Sequence, residues 1–119
     1  PKTPGPGDVL GGTEKGTPRR PMKFELLIKE GAQADITEGF RQYSKISPKL
    51  GDDFLQKLDD AFEQILSGPE MFATVYQEIR QMKIRRFPYV ISYIIEVDRI
   101  VVLAVLHGHR NPEAWKQRS

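Results

Sequence analysis

The sequence predicts an α+β domain: a helical hairpin packed on a small antiparallel β-sheet, in the order β-α-α-β-β-β. Three observations predict it. Two segments with apolar residues at helical spacing lie between residues 32 and 66, parted by Ser47-Pro48. Beyond Pro69 the apolar period falls to two, and Phe87, Tyr89, Ile91, Tyr93, Ile95 and Val97 share one parity against Arg86, Pro88, Ser92 and Glu96. The run Ile100 to Leu106 then has no polar side at all, which suits a central strand covered on both faces.

The first 21 residues hold five Pro and five Gly, and Val9-Leu10 is their one apolar pair. Such a segment cannot bury enough surface to offset its ordering entropy, so residues 1–21 are expected to be a disordered tail or linker. Met22 reads as a natural start, and residues 22–119 as one domain, long enough for a single core.

Within that domain Phe24, Leu26, Leu27 and Ile28 predict a first strand, with Glu25 and Lys29 turned the polar way and Gly31 ending it. Ile36, Phe40, Tyr43 and Ile46 predict a helix from Ala32 or Asp35 to Ile46, despite Gly39. Ser47 can cap the next helix and Pro48 suits its first position. That helix, Lys49 to Leu66, carries a continuous stripe of Phe54, Leu55, Leu58, Ala61, Phe62, Ile65 and Leu66, until Ser67-Gly68-Pro69 stops it. Val75 to Lys83 reads as one strand, and Pro88 belongs near a strand start or edge because it cannot donate to a ladder. Trp115, on a short tail after Asn111-Pro112, is expected to close over the sheet as an apolar anchor.

Charge narrows the function classes. Residues 22–78 hold 6 basic and 11 acidic side chains, residues 79–119 hold 8 basic and 3 acidic, so the positive half lies on the strands. Arg80, Lys83, Arg85, Arg86 and Arg110 come from strands expected to be neighbours, and would form a patch for phosphates or an acidic peptide. No cysteine is present, which excludes disulfides and thiolate metal sites. The longest apolar run is too short to cross a bilayer, so a cytoplasmic protein with no membrane partner is expected. No phosphate-cradling glycine loop and no serine-centred elbow occur.

The segment His107-Gly108-His109-Arg110 holds the remaining chemistry. An extended chain would put both imidazoles on one side, but two histidines without a third ligand make a poor zinc site, and neither metal nor cofactor is expected. Either histidine could move a proton near neutral pH with Arg110 beside it, or could be structural at a strand end. Tyr89 and Tyr93 could stack on bases, yet their parity with Ile91 points to the core.

Leu50-Gly51-Asp52-Asp53-Phe54-Leu55, Arg85-Arg86-Phe87-Pro88-Tyr89-Val90-Ile91-Ser92-Tyr93, and Val102 to Pro112 with Trp115 resemble the RelE/ParE superfamily of toxins from bacterial type II toxin–antitoxin modules. The resemblance spans residues 22–119, and the amino-terminal tail has no counterpart in it. It implies a partner, a cognate antitoxin whose flexible segment wraps the toxin as helix or strand. It implies one of two targets. RelE-like members cut messenger RNA on the ribosome with basic residues and a proton-transfer group, and onto that arrangement Arg80, Arg86, His107, His109 and Arg110 can be carried, with His109, Arg86 and Arg110 leading and His107 the more structural. ParE-like members poison DNA gyrase and are not known as enzymes. RelE-like chains are strongly basic with a carboxy-terminal tyrosine, whereas this domain is neutral and no tyrosine follows Tyr93. The expectation is therefore a ParE-like gyrase inhibitor, with RelE-like cleavage, and then a non-toxic antitoxin-binding protein, as alternatives. Binding to antitoxin, nucleic acid or target is expected from Arg80, Lys83, Arg85, Arg86, Arg110, Trp115 and Arg118. For gyrase inhibition the helical hairpin and the tail from Arg110 to Arg118 are the suspected regions.

Overall fold

Ser47 divides the two helices as the sequence requires. Its backbone is extended and its Oγ accepts from the Leu50 amide at 3.1 Å, so it caps the second helix while Pro48 opens it. In the computed structural model, which describes residues 24–108 and 114–118, strand β1 (Glu25–Ile28) leads into α1 (Glu30–Ile46) and α2 (Pro48–Ser67). A short 3-10 helix (Pro69–Met71) then precedes β2 (Thr74–Tyr76), β3 (Ile79–Lys83), β4 (Tyr89–Ile95) and β5 (Arg99–His107). A second 3-10 helix, Ala114–Arg118, ends the described chain. The expected disordered tail lies outside the described residues.

The predicted class holds, with three refinements. The sheet has five strands in the order β1-β5-β4-β3-β2, because Val75 to Lys83 is two strands and not one. Gln77, at φ 49°, makes the turn between them. The sheet is mixed: β2 to β5 pair antiparallel through short turns, but β1 lies parallel to β5, with Leu26 opposite Ile100 and Ile28 opposite Val102. Direction alternates from β2 to β5, so β5 comes to lie beside β1 running the same way, with the helical hairpin and three further strands between the two in the chain, as a parallel pair cannot be joined by a tight turn. Gly31 does not end β1 but sits in the first turn of α1, which begins at Glu30.

The core has two sides. Phe54, Leu58, Phe62 and Ile65 of α2 pack with Ile91, Tyr93, Ile100, Val102 and Val105 between helices and sheet. On the opposite face Ile79, Val101, Leu103 and Ala104 meet Trp115. A bulge near Ser92 and Tyr93 leaves Leu103 unpaired between Val102 and Ala104, so Leu103 and Ala104, though adjacent, both face Trp115. This second cover explains why Ser92, expected on a polar face, is buried and takes a 3.0 Å hydrogen bond from Gln81 Nε2. Val97, expected in the core by parity, is 99% exposed. β4 ends at Ile95, and Val97 sits on the turn closed by the Glu96 amide on the Arg99 carbonyl, where strand alternation no longer operates.

At the hairpin-turn end of this core, Tyr43, Phe54, Phe87 and Tyr89 form a ring cluster with centroid separations of 4.8 to 6.1 Å. Gly39 in mid-α1 makes room for it, since a Cβ there would lie 2.8 Å from Phe54 Cζ.

Candidate functional site

The end of the sheet formed by the β3–β4 turn, the last residue of β5 and the α1–α2 turn gathers three of the predicted site residues, Arg85, Arg86 and His107. Tyr89 and His107 are directly paired across β4 and β5, and their rings meet edge to face at 5.6 Å. The Gly108 amide donates to the Pro88 carbonyl at 2.8 Å, tying the end of β5 to the β3–β4 turn. Arg86 stands on that turn with φ 73°. Its guanidinium lies 5.7 Å from the Phe87 ring centre and 3.8 Å from Asp53 Oδ2. Lys49 Nζ approaches the same carboxylate oxygen at 3.2 Å. Two cations from different elements thus converge on one carboxylate, beside exposed Arg85. His109 and Arg110 lie outside the described residues.

The other predicted binding residues are placed elsewhere. Arg80 faces the helix side with Met82, and its Nη1 donates to the carbonyls of Phe72 at 2.6 Å and Glu70 at 3.2 Å. Lys83 is an odd number of residues along β3 and takes the opposite face, the side of Ile79 and Gln81, so Arg80 and Lys83 do not share a patch. Trp115 is 8% exposed and packs against Tyr76 edge to face at 6.0 Å, with Lys116 Nζ 4.9 Å above the Tyr76 ring. Arg118 is bound internally to Asp35, at 2.6 Å from Nη1 to Oδ2.

Beside Arg80, the Tyr93 hydroxyl donates to the Pro69 carbonyl at 2.7 Å. Burial pushes the Tyr93 phenol up to about 12, the Arg80 charge pulling weakly the other way. These two side chains pin the 3-10 helix and loop after α2, which is structural work. Among the described residues no three His, Asp or Glu side chains gather as a metal site. No described helix is long and apolar enough to cross a membrane.

The fold is thus an α-helical hairpin over a β-meander, with the first strand parallel to the last. The sequence model for "ParE toxin of type II toxin-antitoxin system, parDE" matches residues 26–112. The chain belongs to the ParE toxin family. Toxin ParE2 from Mycobacterium tuberculosis, in strains CDC 1551 / Oshkosh and H37Rv, is 31% identical over 94 residues, covering 78% of this chain and 90% of the relative. A solved structure described as the chromosomal ParDE TA system from P. aeruginosa superposes with a TM-score of 0.64 at 15% identity, over 73% of this chain and 98% of that one. At that identity the superposition speaks for the fold alone.

In this ParE-family toxin two placements were beyond sequence reasoning. Nothing in the sequence joined Lys49 and Asp53 to Arg86. Their meeting with Arg86 depends on how α2 crosses the β3–β4 turn. The partner of Arg118 is 83 residues away, and no local pattern could name it.

Proposed function

We propose that this ParE-family toxin arrests bacterial growth by inhibiting DNA gyrase in the cytoplasm, and that a cognate antitoxin holds it inactive. Membership of the ParE family supports the antitoxin, and the P. aeruginosa relative is described as a ParDE system, a toxin paired with its antitoxin. The observation that favours gyrase over messenger RNA is the fate of Arg80. Cleavage of RNA by a positioned 2′-hydroxyl needs several cations aimed at one scissile phosphate. Arg80 instead turns its Nη1 to the Glu70 and Phe72 carbonyls, and Lys83 is on the other face of the sheet. An inhibitor that acts by docking needs a rigid surface, with no such convergence.

The test is induction of the chain in a bacterial host that carries a DNA-damage reporter, with and without the product of the reading frame beside its gene. Growth arrest with the reporter on, relieved by the neighbouring product, is the expected result. Arrest with a silent reporter would turn the assignment to RelE-like cleavage, and unimpeded growth to an antitoxin-binding protein without toxicity.

A further inference from the structure

Arg86 is a residue whose position its backbone does not favour. At φ 73° it occupies the left-handed region, where a Cβ crowds the following carbonyl and Gly or Asn closes the same kind of turn with less strain. Its side chain adds little to the fold: it is 56% exposed, 3.8 Å from Asp53 and above the edge of the Phe87 cluster. Backbone geometry therefore does not account for an arginine here, and strain of this kind gathers where a side chain is used. Lys49, whose side chain is 84% exposed, reaches the same Asp53 oxygen from α2.

We propose that Lys49 and Arg86, gathered on Asp53, are the docking point for carboxylates of an acidic segment of the cognate antitoxin. The inference rests on the antitoxin reading above and names the surface that reading would use. The internal carboxylate already shows what geometry the pair accepts: one oxygen shared by an ammonium and a guanidinium, with a second guanidinium edge left for another anion. The surroundings fit a peptide better than a nucleic acid. Ile46, 71% exposed, ends α1 three residues before Lys49, and exposed Pro88 follows Arg86 by two, so apolar surface lies close to both cations along the chain. Along α2 the exposed Asp52, Asp59, Asp60 and Glu63 would repel an extended polyanion, while a short acidic segment needs only the cationic end.

The experiment is titration of the isotope-labelled full chain with hexaglutamate, and separately with a short DNA duplex, followed by amide NMR. Hexaglutamate should move the amides of Arg86, Phe87 and Lys49 to Asp53. Arg86→Gly should weaken that binding about tenfold, and Lys49→Ala should weaken it by less. The Arg86→Gly chain should also melt at the same temperature or a few degrees higher, because the glycine relieves the turn. Undiminished binding by Arg86→Gly overturns the proposal. So does a melting point lowered by more than about 5 °C, which would make Arg86 a fold residue, and so does a duplex that moves the same amides at lower concentration than the peptide. The titration contains no antitoxin, so it can fail while the rescue of growth succeeds.

Discussion

Arg118 Nη1 lies 2.6 Å from Asp35 Oδ2, and this contact joins the last helical turn of the chain to the first turns of α1. The same Asp35 oxygen accepts from the Val105 amide at 3.0 Å, and Arg118 also donates to the Leu103 carbonyl at 3.3 Å. One half-buried ion pair thus holds α1, β5 and the carboxy-terminal helix together, next to the bulge that leaves Leu103 facing Trp115. Asp35→Ala would strand the Val105 amide and the arginine together, and should cost about 2–4 kcal/mol. Arg118→Ala should cost less, since water reaches its site. Chemical denaturation of the two single variants and the double variant, read as a cycle, should give a coupling well above that of an exposed pair.

Tyr93 makes the fold sensitive to alkali. Its phenol is pushed up to about 12 in the folded chain, above the ordinary value of 10.0. The protonated form is therefore favoured by folding, so its contribution is complete below pH 10 and is lost as pH rises through about 12. Stability measured from pH 9 upward should fall along this limb, and Tyr93→Phe should flatten it. At neutral pH the same variant should lose about 1–2 kcal/mol, because the Pro69 carbonyl is left without its donor.

The contact between the helices is too close for an added methyl. A Cβ at Gly39 would meet Phe54 at 2.8 and 3.0 Å, inside a ring cluster that has no room to yield. Gly39→Ala gains about 1 kcal/mol of helix propensity but should lose more through overpacking, for a net loss of about 1–2 kcal/mol. Ser44, by contrast, has a buried Oγ with no hydrogen-bond partner. Ser44→Ala removes an unsatisfied hydroxyl and should leave thermal stability unchanged or raised.

Arg80 provides a direct check on its structural assignment. Arg80→Ala removes hydrogen bonds to two loop carbonyls, and should lower stability by about 1–3 kcal/mol while leaving toxicity per folded molecule unchanged. Toxicity lost with an intact melting curve would place Arg80 at a target instead.

What could be read from residues alone follows from how local each cause is. The α2 stripe, the Ser47 cap and the Gly68 stop depend on neighbours within a turn or two, and all three appear in the fold, except that Leu55 of the stripe is exposed. Ile100 to Leu106 was recognisable as a covered strand because apolar residues on both parities allow little else. The failures share the opposite property. The direction of β1, the burial of Ser92 and the exposure of Val97 depend on where distant elements land and where a strand stops, which alternation does not encode. The site behaved the same way. Arg86 was named by the cationic patch and the resemblance but expected on a strand face and not on a turn, Lys49 and Asp53 belong with it only through the packing of α2, and grouping Arg80 with Lys83 overlooked their opposite parity on β3.

The proposed target is DNA gyrase, reached without a ribosome. The measurement that tests it most directly adds the purified protein to purified DNA gyrase and supercoiled plasmid, with ATP, and scores protein-linked double-strand breaks and supercoiling. Breaks should accumulate and supercoiling should fall, and an equal amount of cognate antitoxin should reverse both. Unchanged gyrase activity, together with cutting of messenger RNA when the same protein is added to translating ribosomes, would contradict it.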